Sequence, residues 1–349
     1  MTKVSIIIPV YNVEAYIKRC LDSVINQTLN DIEIICINDG STDNSAKIIE
    51  KYAKLDNRIL LINQANQGVS IARNMGIKQS TGEYLIFVDP NDWIETNLAE
   101  VAYKKIHEDN LDVVSFGYKC HTEDIYYVAH TIDILDKNKN IIPLGDIKNL
   151  VHCAWDKIYK REFIINNKIV FPLNVKNAED GCFSLQCLLH NAKWGGLNKS
   201  LYNYREIRKN SAMSNILDLV KNEMDALYTF VKFDIFEHSC EELKIVCLDK
   251  FMGDFIYRYN QPCSLKIKLN YLKQIQKFSN DIKKIIPESL LLKTSHYKKI
   301  KKVSLLRILA KQLFCVKNER FGNFKWKVLV ILGIKIKFNK TLINQLDIK

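Results

Sequence analysis

Five apolar residues, Tyr84-Leu85-Ile86-Phe87-Val88, run without a break into Asp89-Pro90-Asn91-Asp92-Trp93. This junction limits the fold more than any other stretch of the chain. An unbroken apolar run of that length suits a strand covered on both faces, the environment of a parallel sheet flanked by helices. Asp89, Asn91 and Asp92 would then project from the strand's carboxyl end, where such sheets open onto their ligand crevice. Hard oxygens at that place suit Mg²⁺ or Mn²⁺ carrying a diphosphate, while an ordinary Asp/Asn/Pro turn reads from the same letters.

The preceding eighty residues repeat the pattern. Lys3 to Pro9 is a strand-like run closed by proline, and Val13 to Thr28 carries apolar residues at helical spacing. Ile32 to Ile37 predicts a second strand, followed by the polar loop Asn38-Asp39-Gly40-Ser41-Thr42-Asp43-Asn44-Ser45 and a helix over 44–55. Arg58 to Asn63 predicts a third strand. Asn66-Gln67-Gly68 then precedes a helix holding Ala72-Arg73-Asn74, and Leu111 to Tyr118 predicts a fifth strand. Strand and helix alternating at this interval imply right-handed crossovers and an α/β fold with a mostly parallel sheet. The polar clusters at 9–12, 38–45, 66–68 and 89–92 then share one rim, as a site for a large polar ligand such as a sugar nucleotide would require. No glycine-rich phosphate loop is present, which argues against NAD and ATP.

These segments, Ser5-Ile-Ile-Ile-Pro-Val-Tyr-Asn12, Asn38 to Ser45, Asn66-Gln-Gly68 with Ala72-Arg-Asn74, and Phe87-Val-Asp-Pro-Asn-Asp92, resemble the successive motifs of family 2 glycosyltransferases with the GT-A fold over about residues 3–210. The Asp-Pro-x-Asp form is similar to that of bacterial lipooligosaccharide and capsule transferases. The resemblance implies an inverting transfer from a nucleotide-activated sugar, most often UDP-linked (UDP-galactose or a UDP-N-acetylhexosamine), to a glycan or lipid-linked acceptor. It places Pro9, Tyr11, Asn12, Asp39, Asn66, Gly68, Arg73 and Asp89 around the nucleotide and Asp89, Asn91 and Asp92 around a divalent metal. The third position of the metal motif is normally aspartate; Asn91 is a weaker, neutral ligand, which softens the expected metal dependence.

Farther on, Trp155-Asp156-Lys157-Ile158-Tyr159-Lys160-Arg161 resembles the acceptor-side segment, and the Trp reads equally as a core anchor. Asn177-Ala178-Glu179-Asp180-Gly181 resembles the family's Glu-Asp pair at a helix start. An inverting transfer needs one base for the acceptor hydroxyl, so Asp180 is the candidate base and Glu179 its helper. Both also favour a helix N-terminus. Tyr202 to Ser211 resembles the segment that closes over the donor, where Arg205 and Arg208 would grip the diphosphate or form a basic surface strand.

Helical periods mark 215–238, 241–258, 265–278 and 298–315, and Lys325 to Phe338 alternates around Gly333 as a hairpin would. The chain thus divides into a catalytic domain (1–212), a helical region (213–320) and a basic terminal hairpin (321–349). Of the net charge of +12, residues 264–349 carry 21 basic and 4 acidic residues. That excess suits an anionic membrane surface. A nucleic-acid partner is not expected, since no aromatic-basic RNA motif accompanies the tail. The longest apolar run there, Val328 to Ile334, is far short of the ~20 residues of a membrane span. With no signal peptide legible at the N-terminus and ten cysteines scattered as small hydrophobes, the expected setting is cytoplasmic, peripheral to the membrane. A sugar-nucleotide-binding protein without turnover is the alternative that Asn91 suggests.

Overall fold

The structure, a computed structural model, describes all residues except 123–124, 129–133, 136–140, 148, 174, 176–177, 207–215, 261–264, 302–313, 322–323, 332–333 and 339–349. By its contacts the chain falls into two compact units, Met1–Asn215 with Asn222–Phe251, and Ile216–Lys221 with Met252–Lys349.

The first unit is built on a nine-stranded sheet. Strands β1 (Val4–Val10), β2 (Ile32–Asp39), β3 (Ile59–Gln64) and β4 (Tyr84–Phe87) lie in the order β3-β2-β1-β4, all parallel. Helices α1 (Ile17–Ile25), α2 (Ser45–Ala53) and α3 (Val69–Gln79) make the crossovers. Every residue of β1 is buried, as expected of a strand covered on both faces. In α1 the buried residues Ile17, Cys20, Leu21 and Val24 follow the 3.6-residue period, and full burial of each large aliphatic side chain contributes about 1.5–3 kcal/mol.

The helix expected from Val13 begins only at Ile17. Asn12 adopts a left-handed φ of +48°, and the N–H groups of Asn12, Val13 and Glu14 donate to Ser41 Oγ, Ser45 Oγ and Asp43 Oδ2. Those donors tie the first loop to the second instead of entering the helix.

Beyond β4 the sheet becomes mixed. Short β5 (Trp93–Ile94) is followed by α4 (Leu98–Glu108) and β6 (Val113–His121), from which β7 (Tyr126–Val128) hangs antiparallel. Next come β8 (Lys157–Lys160), α5 (Arg161–Asn166), α6 (Glu179–Leu189) and β9 (Trp194–Arg205). β8 lies between β4 and β6, antiparallel to both; β9 runs parallel to β6 through a bulge near Gly117, and β5 is antiparallel to β9. The sheet is therefore less parallel than its first hundred residues suggest.

In the C-terminal region, 215–238 splits into α7 (Ile216–Phe230) and a short helix over Asp234–His238, followed by α8 (Glu241–Asn260) and α9 (Leu265–Ile282). The expected hairpin is present as β11 (Phe324–Ile331) and β12 (Ile334–Phe338), joined by an additional strand, β10 (Phe314–Phe321), into a meander. The helix expected over 298–315 gives way to β10 at Phe314; helix Ser295–Lys301 precedes it, and 302–313 lie outside the described residues. Among the described residues no helix is long and apolar enough to cross a membrane.

Candidate active site

The aligned register of β1, β2, β3 and β4 brings their carboxyl ends to one rim, with Val10 beside Asn38, Asp39 beside Gln64 and Ile7 beside Phe87. The loops carrying Pro9, Tyr11 and Asn12, Asp39, Asn66 and Gly68, and Asp89 to Asp92 follow directly. Tyr11 is 49% exposed. Asn12 Oδ1 accepts the Thr42 N–H at 2.8 Å. Asp39 is buried: Oδ1 accepts from Gln67 N and Gln64 Nε2, and Oδ2 from Gly68 N. This carboxylate therefore shapes the 65–68 loop from beneath. Gly40 has a φ of +72° and an added Cβ would lie 2.7 Å from Asn66 N, so close approach of the two loops requires glycine there.

Arg73, one turn into α3 and 3% exposed, is the centre of the site. Its Nη1 donates to Asp180 Oδ1 at 2.6 Å and Glu179 Oε1 at 3.0 Å, and Nη2 donates to Asp89 Oδ1 at 2.9 Å. One guanidinium thus gathers three carboxylates from β4's carboxyl end and α6's first turn, joining residues 107 positions apart. Burial alone would lower the Arg73 pKa, but the three carboxylates more than reverse that and raise it. Behind it lie stacked Phe171 and Phe183, 4.1 Å between centroids, and Phe87, 5.1 Å from Phe171.

Against that apolar floor Asp180 is pushed up to about 7. Burial is the largest cause, Arg73 opposes it, and Glu179 and Asp89 add repulsion. Among the described residues Asp180 Oδ2 accepts one long contact, from Ala154 N at 3.3 Å, which leaves a lone pair for a proton. Among the described residues Arg73 Nε and Glu179 Oε2 are buried with no hydrogen-bond partner.

The acidic motif divides its work. Asp92 was expected to face a cation, yet its Oδ1 accepts from Arg205 N at 2.8 Å and Asn91 Nδ2 at 3.1 Å, and its Oδ2 accepts from the Tyr202 hydroxyl at 2.9 Å. Both Asn91 and Asp92 are buried. The carboxylate turned to the rim is Asp89, whose side chain is 25% exposed and whose second oxygen is left by Arg73. The donor set therefore fits a cation at one carboxylate oxygen, as for a cation arriving on a diphosphate. Among the described residues no group of three or more His, Cys, Asp or Glu could cage one.

Tyr202 was passed over as a separate contact. Its hydroxyl accepts the Asp89 N–H at 3.0 Å while donating to Asp92, clamping both ends of the motif; the Tyr-Asn-Tyr-Arg alternation was its signal. Trp155 is buried, stacked on Tyr202 and Tyr204 with Tyr118 at its edge, as an anchor of the core. Arg205 Nε donates to Asn91 O. Arg208 lies outside the described residues. Cys182 and Cys187 are free thiols, and burial pushes the pKa of both up.

A further approach comes from α8. An added Cβ at Gly181 would lie 2.7 Å from Lys250 Nζ, so glycine beside Asp180 leaves room for a buried ammonium on the flank of α6.

Comparison with known proteins agrees with this geometry. The family described as Glycosyl transferase family 2 matches residues 5–166. Glycosyltransferase GlyA of Streptococcus pneumoniae is 40% identical over 221 residues, 60% of this chain and 31% of that protein. Two relatives from Bacillus subtilis are covered to 61% and 60% of their lengths, so the chain spans only part of these proteins. The cholesterol galactosyltransferase of Borreliella burgdorferi is 31% identical over 280 residues, 73% of this chain and 74% of that protein. Among solved structures, Staphylococcus aureus TarS 1–349 in complex with UDP-GlcNAc superposes with a TM-score of 0.70 at 21% identity, covering 93% of this chain and 98% of that one. The parallel rim, the Arg73 clamp and these relatives together establish that the chain belongs to the family 2 glycosyltransferases and has the GT-A fold.

Proposed function

We propose that the protein transfers a sugar from a UDP-sugar to a hydroxyl of a bacterial surface glycan or its lipid-linked precursor, with inversion at the anomeric carbon. The observation that carries this reading is the Arg73 clamp, which holds a carboxylate of near-neutral pKa beside the rim carboxylate Asp89. Asp180 Oδ2 takes the proton of the acceptor hydroxyl as its oxygen attacks the anomeric carbon. The bond from that carbon to the diphosphate breaks on the opposite face, and UDP leaves with the electron pair. Arg73 positions the base and keeps it ionised often enough to act. Tyr11, Asn12 and the Asp39-supported loop hold the nucleotide, and Asp89 Oδ2 meets the ribose or a divalent cation on the diphosphate. Mg²⁺ or Mn²⁺ bound there would neutralise charge developing on the leaving group.

The crystallised complexes of TarS with UDP-GlcNAc and with UDP support a uridine donor. Screening a panel of UDP-sugars for hydrolysis and transfer tests the reading; binding of UDP without turnover of any donor would favour a sugar-nucleotide-binding protein instead, the reading that buried Asn91 suggests.

A further inference from the structure

A column of rings and guanidinium groups adjoins the acidic motif through Trp93 and Arg205. The Arg19 guanidinium carbon stands 3.3 Å from the Trp93 ring centroid, and that of Arg205 stands 5.3 Å from the same ring and 5.1 Å from Tyr16. Trp93 meets His121 at 4.5 Å, and His121 stacks on Tyr126 at 5.5 Å. His121 is oriented from below by Asn203, 2.8 Å away. Tyr126 is 62% exposed.

Charge makes this column unusual. Arg58 is paired with Asp56, and Arg73 with three carboxylates. Among the described residues Arg19 has no carboxylate within ion-pair distance; burial and the neighbouring charge of Arg205 lower its pKa. The acid on this face, Glu95, is already held by Lys119 at 2.8 Å and Asn203 at 3.2 Å. Two cations are therefore drawn together over one indole, and among the described residues no carboxylate forms an ion pair with either of them. Each gains from the ring face, and the remaining demand is for an anion with several oxygens, which guanidinium groups bind in bidentate fashion.

We propose that Arg19, Trp93 and Tyr126 form a subsite for a phosphate-bearing acceptor glycan: Arg19, backed by Arg205, takes the phosphate oxygens, while the faces of Trp93 and Tyr126 take the C–H faces of adjoining sugar rings. Continuity supports an acceptor over a second donor, since Arg205 bonds both Asn91 O and Asp92 and so links the column to the motif beside which transfer occurs. Neutral glycans would use the rings alone and bind more weakly.

This inference rests on the glycosyltransfer reading for its biological meaning, and its test is a binding measurement that needs no turnover. Isothermal calorimetry on the full chain would use maltotriose carrying one phosphomonoester, the same trisaccharide after phosphatase treatment, inorganic phosphate, and UDP. The phosphorylated trisaccharide should bind at least about tenfold more tightly than the neutral one. Arg19→Gln should abolish that difference, and Tyr126→Ala should weaken both trisaccharides, with UDP affinity kept in each variant as evidence of folding. Equal affinity for the two trisaccharides, or an undiminished preference in Arg19→Gln, overturns the subsite. Arg19-dependent binding to phosphatidylglycerol vesicles with no preference between trisaccharides overturns it in favour of a membrane contact. A preserved phosphate preference with no UDP binding leaves the subsite standing and removes the donor reading.

Discussion

The Arg73 guanidinium stands 2.6 Å from the Asp180 carboxylate, and with a second branch it holds Asp89 at 2.9 Å. The proposed base and the proposed donor-side acid therefore share a single cation. Neither can shift independently of the other.

Replacing Arg73 by lysine should damage both stability and rate. A lysine ammonium is a point charge that cannot reach three carboxylates in a fixed fork, and breaking a buried pair costs about 3–5 kcal/mol. Thermal melts should report that loss. In protein that remains folded, the acid limb of the pH–rate profile should move to higher pH because Asp180 loses part of its counter-charge; an unmoved limb would mean that Arg73 does not set the base.

Wild-type turnover should rise with pH up to about 7 as Asp180 ionises, and Asp180→Asn should lower it by about 10²-fold or more. Stability should respond in the opposite sense. The folded chain keeps the Asp180 proton where the unfolded chain has released it, so this group's contribution is complete below pH 3.8 and is lost as pH rises toward about 7. Calorimetric melts of wild type and Asp180→Asn across that window check the sign: the variant should lose less stability on going from pH 5 to pH 8.

Asn91→Asp tests the metal motif. The Asn91 amide donates to Asp92 Oδ1 in a buried setting, so a carboxylate there removes a donor and opposes two like charges, at a cost of about 1–3 kcal/mol or more. Without metal the variant should melt below wild type, and Mn²⁺ should restore it by more than it raises wild type. If Mn²⁺ shifts both melting points equally, position 91 does not meet the cation.

The terminal meander sets where a truncation should fall. Cutting at residue 321 would separate β10 from β11, which pair from Phe314 with Ile331 to Phe321 with Phe324, so the informative deletion is 314–349. We expect it to leave transfer to a short soluble acceptor nearly intact while ending salt-sensitive flotation with anionic liposomes, each basic residue near the surface contributing about 1 kcal/mol at most. Loss of soluble activity together with a lower melting temperature would assign the meander to folding instead.

What could be foreseen from the letters follows the range of the interactions. The four rim loops were legible because each is local: a buried run, a breaker, then polar residues. The Arg73 partnership with Glu179 and Asp180 was not, since it spans more than a hundred positions and no periodicity encodes it. The protein partners of Asp92 were hidden for a related reason. Its place in an acidic motif suggested a cation, whereas Tyr202 and the Arg205 N–H, distant in sequence, supply its partners. The antiparallel insertion of β8 was hidden too, because the direction of a short buried strand leaves no mark in its composition.

That reversed strand has a consequence for how such a chain can diversify. With Tyr84 opposite Lys160 and Ile86 opposite Ile158, β8 delivers its beginning, not its end, to the rim, so the segment entering it ends at Trp155 and Asp156 beside Asp89. The rim of β1 to β4 is assembled from strand exits whose positions are locked by the parallel ladder. On the other side of the rim stands a strand entrance, that of β8. A change of length ahead of Trp155 need not move any pairing of β1 to β4, so on the proposed reading the side that receives the acceptor can be exchanged over evolutionary time while the side that holds the donor is inherited unaltered.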